Sequence, residues 1–143
     1  MEYSSNMRFL SFEALTIAVD QERNPEVGES TIDRLTAALG IKKCIPTIRE
    51  VVFPMMDKQQ WQQRHAAMMT LTQIVEYLEW SDVQQMCNKI LSFFQDQHPR
   101  VRWACINCVG QICTDHGPQF QIQFGKEILK GFRALMADTN NTR

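Results

Sequence analysis

From Ile41 to Met136 the apolar positions of this chain recur every three or four residues, in runs that repeat one another. Val101, Ala104, Cys105, Cys108, Val109 and Ile112 fall at i, i+3, i+4, i+7, i+8 and i+11, one face of an α-helix. Thirty-eight positions earlier Gln63, Ala66, Ala67, Thr70, Leu71 and Ile74 repeat that face, and Arg64, Gln73 and Ile74 match Arg102, Gln111 and Ile112 without a gap. A further run of the same spacing precedes each copy. It comprises Cys44, Thr47, Ile48, Val51, Val52 and Met55 in one case and Val83, Met86, Cys87, Ile90, Leu91 and Phe94 in the other. Polar turns, Asp57 to Gln60 and Asp96 to Pro99, separate run from run. Each unit is therefore expected to be helix, tight turn, helix, and the Ala, Cys and Thr of the second helix let it approach its antiparallel partner closely.

The first complete unit spans about Ile41 to Leu78, with Pro46 near a helix start and Pro54 shortening the last turn, since proline cannot donate to the helix ladder. The second spans about Ser81 to Gly117. Ser81 and Gln84 suggest a capping box for its first helix, and Pro99 after His98 suits the first position of its second. Phe120 to Met136 reads as the first helix of a third unit, against the low helix propensity of Gly125 and Gly131. Ser30 is expected to cap a short helix through Ile32, Leu35, Thr36 and Leu39 that Gly40 closes, the second helix of an earlier unit. The run from Gln21 to Gly28 reads as a loop, and Phe9, Phe12, Leu15 and Val19 outline one short helix before it. Residues 1–28 thus stand outside a repeat array covering residues 29–143. Two-helix units near 40 residues are HEAT-like, so the expected fold is an all-α HEAT-repeat α-solenoid with two complete helix pairs and flanking half repeats. A single unit cannot bury its own apolar face, which makes stacking obligatory.

Composition narrows the function classes. With 143 residues, 44% hydrophobic and 22% charged, the chain has the make-up of one globular domain. A formal net charge of −1 provides no excess of cations to neutralise phosphates, which argues against nucleic acid as the direct partner. No uninterrupted apolar stretch reaches the ~18 residues of a membrane span. Met7 to Val19 carries a single Arg8 and an internal Glu13 and lacks a small-residue cleavage site, so it does not read as a signal peptide. Five cysteines is an odd number, and Cys87, Cys105 and Cys108 all fall on apolar stripes, the usage of a reducing compartment. Cys105 and Cys108 form a C-x-x-C without the second ligand pair of a zinc site or the exposed helix start of a redox site, so packing is their expected role. His65, His98 and His116 have no partners at metal-ligand spacing, and no nucleophile motif or Gly-rich phosphate loop is present. No catalytic residue, cofactor or metal is expected.

Two constellations remain. Asp57 with Arg64 and Asp96 with Arg102 occupy equivalent places in consecutive units, where an Asp and an Arg can bridge one unit to the next as a structural ladder. Beside the core stripe of each second helix runs another line: His65, Met69, Gln73 and Glu76 in one unit, Trp103, Asn107, Gln111 and Thr114 in the next, extended by the charges of Glu79 and Asp115. A Trp four residues before an Asn lies almost over it on a helix, a platform for an aliphatic Lys or Arg stem with an amide to hold peptide backbone. The alternative for Trp103 is packing against the adjacent repeat.

The stretches GESTIDRLTAALG, CIPTIREVV, WQQRHAAMMTLTQIVE and LSFFQDQHPRVRWACINCVGQICTDHGPQFQ, from Val27 to about Asp138, resemble central HEAT repeats of the importin-beta superfamily of nuclear transport receptors, in its importin beta-3 or karyopherin beta-3 branch. The elements HPRVR, N-x-VGQ and TD-x-x-P-x-F at residues 98–102, 107–111 and 114–120 carry that resemblance. It implies a non-catalytic receptor that carries cargo with basic nuclear-localisation signals from cytoplasm to nucleus, is unloaded by the GTPase Ran and passes the pore by contacts with Phe-Gly nucleoporins. Receptors of this kind are many times longer, and the Ran-contacting N-terminal repeats have no counterpart here. A HEAT scaffold of the phosphatase or chromosome-organising type, or a truncated paralogue, stands as the alternative.

Overall fold

A computed structural model describes residues 25–138, and among these it contains six α-helices and no strand. The chain divides into two compact units, one ending at Ile74 and one beginning at Val75. In the first, α1 (Pro25–Leu39), α2 (Ile41–Met55) and α3 (Trp61–Ile74) follow in order, with α3 packed on both of the others. The expected N-terminal helix through Phe9 to Val19 and the first part of the expected loop lie outside the described residues.

Helix α1 starts earlier than the capping argument places it. It is already helical at Pro25, a residue suited to a first turn because its missing N–H has no intrahelical partner there. Ser30 consequently lies inside the helix and donates its hydroxyl to the Val27 carbonyl at 3.2 Å instead of capping a terminus. A single residue, Gly40, joins α1 to α2 with φ 80 and ψ 136, and its N–H returns to the Thr36 carbonyl at 2.9 Å. That positive φ costs glycine nothing and would strain a residue bearing a Cβ. Both Pro46 and Pro54 lie within α2, and the chain leaves it through bonds from the Met56 and Asp57 amides to the Phe53 and Pro54 carbonyls. Of the stripe expected on α2, Val52 and Met55 are buried while Cys44, Thr47, Ile48 and Val51 are half-buried. On α3 the buried set is Ala66, Ala67, Met68, Thr70, Leu71 and Ile74, and the Thr70 hydroxyl is satisfied by the Ala66 carbonyl at 2.8 Å.

In the second unit a 3-10 turn, Val75–Tyr77, leads to α4 (Trp80–Ser92) and a second such turn, Phe93–Gln95; α5 (Pro99–Asp115) and α6 (Gln119–Ala137) follow. The capping box expected at Ser81 and Gln84 does not form. Helix α4 begins two residues sooner, behind Glu79, which makes no side-chain cap, and Asp82 in its first turn complements the helix dipole instead. The start of α5 matches expectation: Pro99 opens it, and His98 accepts the Arg100 amide on its ring Nδ1 at 3.3 Å. All six residues of the α5 stripe are buried, and the Cys105 thiol donates to the Ile90 carbonyl of α4 at 3.1 Å. Helix α6 buries Phe120, Phe124, Ile128 and Leu135. Gly131 lies so close to Phe94 that a Cβ there would stand 2.5 Å from the ring, which explains a glycine in mid-helix, and Phe132 meets the same ring edge-on at 5.4 Å. Burying one such aromatic side chain contributes about 1.5–3 kcal/mol, so this seam anchors α6 to the α4 end of the unit.

Candidate functional site

With its core stripe turned inward, α5 presents Trp103, Asn107, Gly110 and Thr114 to solvent, at i, i+4, i+7 and i+11. Trp103 is 49% exposed. Asn107 follows one turn later on the same side, and apart from the helix itself nothing lies within 4 Å of where a Gly110 Cβ would be, so the surface below the amide is open. Thr114 folds its hydroxyl back to the Gly110 carbonyl at 3.2 Å, so the line ends in a methyl group. Gln111 stands at the edge, half-buried, with its amide donated to the Asp115 carboxylate at 2.9 Å.

Negative charge gathers at the C-terminal end of the helix, for a reason absent from the local sequence. The His116 ring nitrogen Nε2 lies 2.9 Å from the Val75 carbonyl, and its ring tilts at 36° against Trp80 with centroids 6.0 Å apart. This tie holds the segment from Val75 to Trp80 at the end of α5, and with it the exposed Glu76 and Glu79. Asp115 stands in the last turn of α5, where the helix macrodipole is itself negative. In the first unit the corresponding positions are less open: His65 is half-buried and edge-on to Trp61 at 6.2 Å, and Gln73 is half-buried on α3. Trp61 and Trp80 escaped the reading of the sequence, which weighed His116 only as a metal ligand, although Trp61 stands at i−4 of His65 and so on its face.

The two arginines take the same local role in each unit. Arg64 donates Nη1 to the carbonyls of Lys58 and Gln59 at 2.8 and 2.7 Å. Arg102 donates Nη1 to those of Asp96 and Gln97 at 2.9 and 3.1 Å. Asp96 accepts the His98 amide at 2.8 Å and so shapes the turn that Arg102 closes. Arg102 also brings Nη2 to 3.7 Å from Asp138, at the end of α6. Asp57 is exposed and ends the turn after α2.

Among the described residues no three His, Cys, Asp or Glu side chains cluster as metal ligands, and no helix is long and apolar enough to cross a membrane. Cys105 and Cys108 are enclosed, and burial pushes the Cys105 thiol well above the ordinary thiol range, the opposite of a reactive cysteine.

Comparison with known proteins places this geometry. The HEAT repeat model matches residues 86–116, which run from α4 through α5. Importin subunit beta-3 of Saccharomyces cerevisiae is 27% identical over 105 residues, covering 71% of this chain and 10% of that protein. Two solved structures superpose with a TM-score of 0.79 over 92% of this chain and 15% of theirs, at 22% identity: Kap121p bound to Nup53p, and the karyopherin Kap121p bound to the SUMO protease Ulp1p. The chain thus spans about a tenth of the length of the curated relative it matches. The all-α fold expected from the repeat period is the fold observed, with a HEAT repeat at residues 86–116 and sequence similarity to importin subunit beta-3 over 105 residues.

Proposed function

We infer that this chain acts by binding protein segments, without catalysis, as part of the cargo-carrying surface of a nuclear transport receptor working between cytoplasm and nucleus. The observation that carries the reading is the exposed line through Trp103, Asn107 and Gly110, leading to the acids Glu76, Glu79 and Asp115. An indole face attracts a Lys or Arg head while its plane covers the aliphatic stem, worth about 0.5–1 kcal/mol at an exposed site. The Asn107 amide offers both a donor and an acceptor to an extended backbone. The open surface at Gly110 gives that backbone room to approach. Exposed carboxylates add roughly 0–1 kcal/mol each and are screened by salt, so binding is weak and ionic-strength dependent. The partner chemistry that fits is a basic peptide of nuclear-localisation type. His65 and Gln73 on α3 extend the same use of second helices within the first unit. Release by Ran and contact with Phe-Gly nucleoporins are part of this proposal, on the resemblance to the importin-beta superfamily.

Titration calorimetry with a Lys-rich signal peptide at low salt tests it. Wild-type chain should bind, Trp103→Ala combined with Glu76→Lys should weaken binding at least about tenfold, and helical circular dichroism should stay the same. Undiminished binding by the double variant, or no binding by the parent, would remove the assignment. A pull-down of the same peptide with and without GTP-locked Ran tests the Ran component separately.

A further inference from the structure

Three elements of the second unit meet at one residue, His116. Its backbone N–H closes α5 on the Ile112 carbonyl at 2.9 Å, and its own carbonyl accepts the Phe120 amide at 3.0 Å as α6 begins. The ring reaches the segment ahead of α4. There Nε2 lies 2.9 Å from the Val75 carbonyl, and since a carbonyl only accepts, Nε2 carries the proton of this bond. The Val75 carbonyl also takes the Leu78 amide at 3.2 Å, so the ring fills the second acceptor position of a turn that the backbone already makes. The same ring rests against Trp80, tilted at 36°.

The chain neighbours of these contacts are acids. Glu76 follows Val75 and Glu79 precedes Trp80, and both are exposed; Asp115 precedes His116 itself. We propose that His116 is a positioning residue for the peptide surface on α5, resting on the reading of the Trp103 line given above. Without touching a bound segment, it fixes where Glu76 and Glu79 stand relative to α5, and so sets the preference of that surface for cationic partners. Burial of Val75 and Leu78 keeps the segment on the unit, but apolar contact has no direction, whereas the bond from the ring does. Trp103 and Asn107 stand on α5 itself and keep their places whatever the ring does. Loss of the ring contact should therefore remove the salt-dependent part of binding and spare the part carried by the indole.

Hydrogen exchange and peptide titration on the full chain test the assignment. In the parent the Leu78 amide, bonded to the carbonyl that the ring holds, should exchange slowly; exchange as fast as in an open chain overturns the proposal without any peptide. His116→Gln carries an amide to about the reach of Nε2 and should preserve that protection, whereas His116→Asn stops a bond short and should lose it, both with unchanged helical circular dichroism. Calorimetry with the Lys-rich signal peptide should show His116→Asn binding about threefold or more weaker than the parent at about 20 mM salt and nearly equally at about 200 mM, with His116→Gln like the parent at both. Glu76→Gln with Glu79→Gln should weaken the parent about threefold or more at low salt and His116→Asn less than about twofold, because the two changes share one effect. Equal binding by His116→Asn and the parent at low salt, a defect that persists at high salt, or failure of His116→Gln to restore binding overturns the assignment and leaves the Trp103 reading standing. A parent that binds no peptide at low salt removes that reading and the assignment with it. Exchange in the parent and in His116→Gln keeps the proposal open to failure even if His116→Asn does not fold.

Discussion

Arg102 and Asp138 are 3.7 Å apart, and the guanidinium that reaches Asp138 from α5 also holds the turn preceding its own helix through the Asp96 and Gln97 carbonyls. One nearly buried side chain therefore secures both the corner between α4 and α5 and the end of α6. Its planar fork is what allows both, and a lysine at this position could not reproduce it.

Arg102→Ala should accordingly destabilise the chain by about 2–3 kcal/mol, since bonds from a charged donor to backbone carbonyls are lost in a shielded place. Arg102→Lys should recover less than half of that. Urea unfolding followed by circular dichroism measures both, and equal stability of all three proteins would show that the turn holds without its arginine.

Gly131 and Gly125 share one helix and should respond in opposite ways. Gly131→Ala places a methyl against the Phe94 ring, where a Cβ would be 2.5 Å from the nearest atom, and should cost about 1–3 kcal/mol through overpacking. Gly125→Ala meets nothing within 4 Å and should stabilise by up to about 1 kcal/mol through reduced backbone entropy of the unfolded chain. Thermal melts of the two variants should move to either side of the parent; shifts of the same sign would mean that the α6 to Phe94 seam is looser than described.

Ala104 is 0% exposed on the side of α5 facing its neighbours, and Ala104→Leu should destabilise by roughly 1–3 kcal/mol because the added carbons have no space. A denaturation midpoint unchanged from the parent would show that this stripe is not core.

The fold was legible where a period of 3.6 residues persisted and where proline stood at a helix start, as at Pro99. The helix starts proposed at Ser30 and Ser81 went astray because a side chain able to cap does so only if the chain enters there. Pro25 admits an earlier entry to α1, and the tie between His116 and Val75, 41 residues apart, fixes the approach to α4. Gly131 could not be understood from helix propensity, since its reason is the Phe94 ring, which belongs to the turn after α4. The choice between packing and display at Trp103 depends on which side of α5 its neighbours occupy, and sequence period alone leaves that open.

The thiols give a prediction in pH. Burial pushes Cys87 from the ordinary 9.0 up to about 12, and raises Cys105 further, with Cys108 and Asp96 acting in the same direction. The unfolded chain ionises these groups near 9 while the folded chain keeps them neutral, so their contribution to stability is complete below about pH 9 and is lost as pH rises toward about 12. Stability measured by urea should fall through that window, and Cys87→Ala should make the fall shallower. At neutral pH an aromatic disulfide reagent should modify the half-buried Cys44 and Cys113 before Cys87, Cys105 or Cys108. Early labelling of Cys105 would contradict the burial of the α4 to α5 contact.

Gly40 is a joint of one residue, and its mechanical meaning differs from that of the longer corners at residues 56–60 and 93–98. A corner of several residues can absorb sliding as well as bending. With only two rotatable backbone bonds between α1 and α2, relative motion there reduces to rotation about φ and ψ of Gly40, with no slack for the helices to separate. Tension applied along the chain would pass through this point undamped, so α1 and α2 should move as a hinged pair where the other helix corners give.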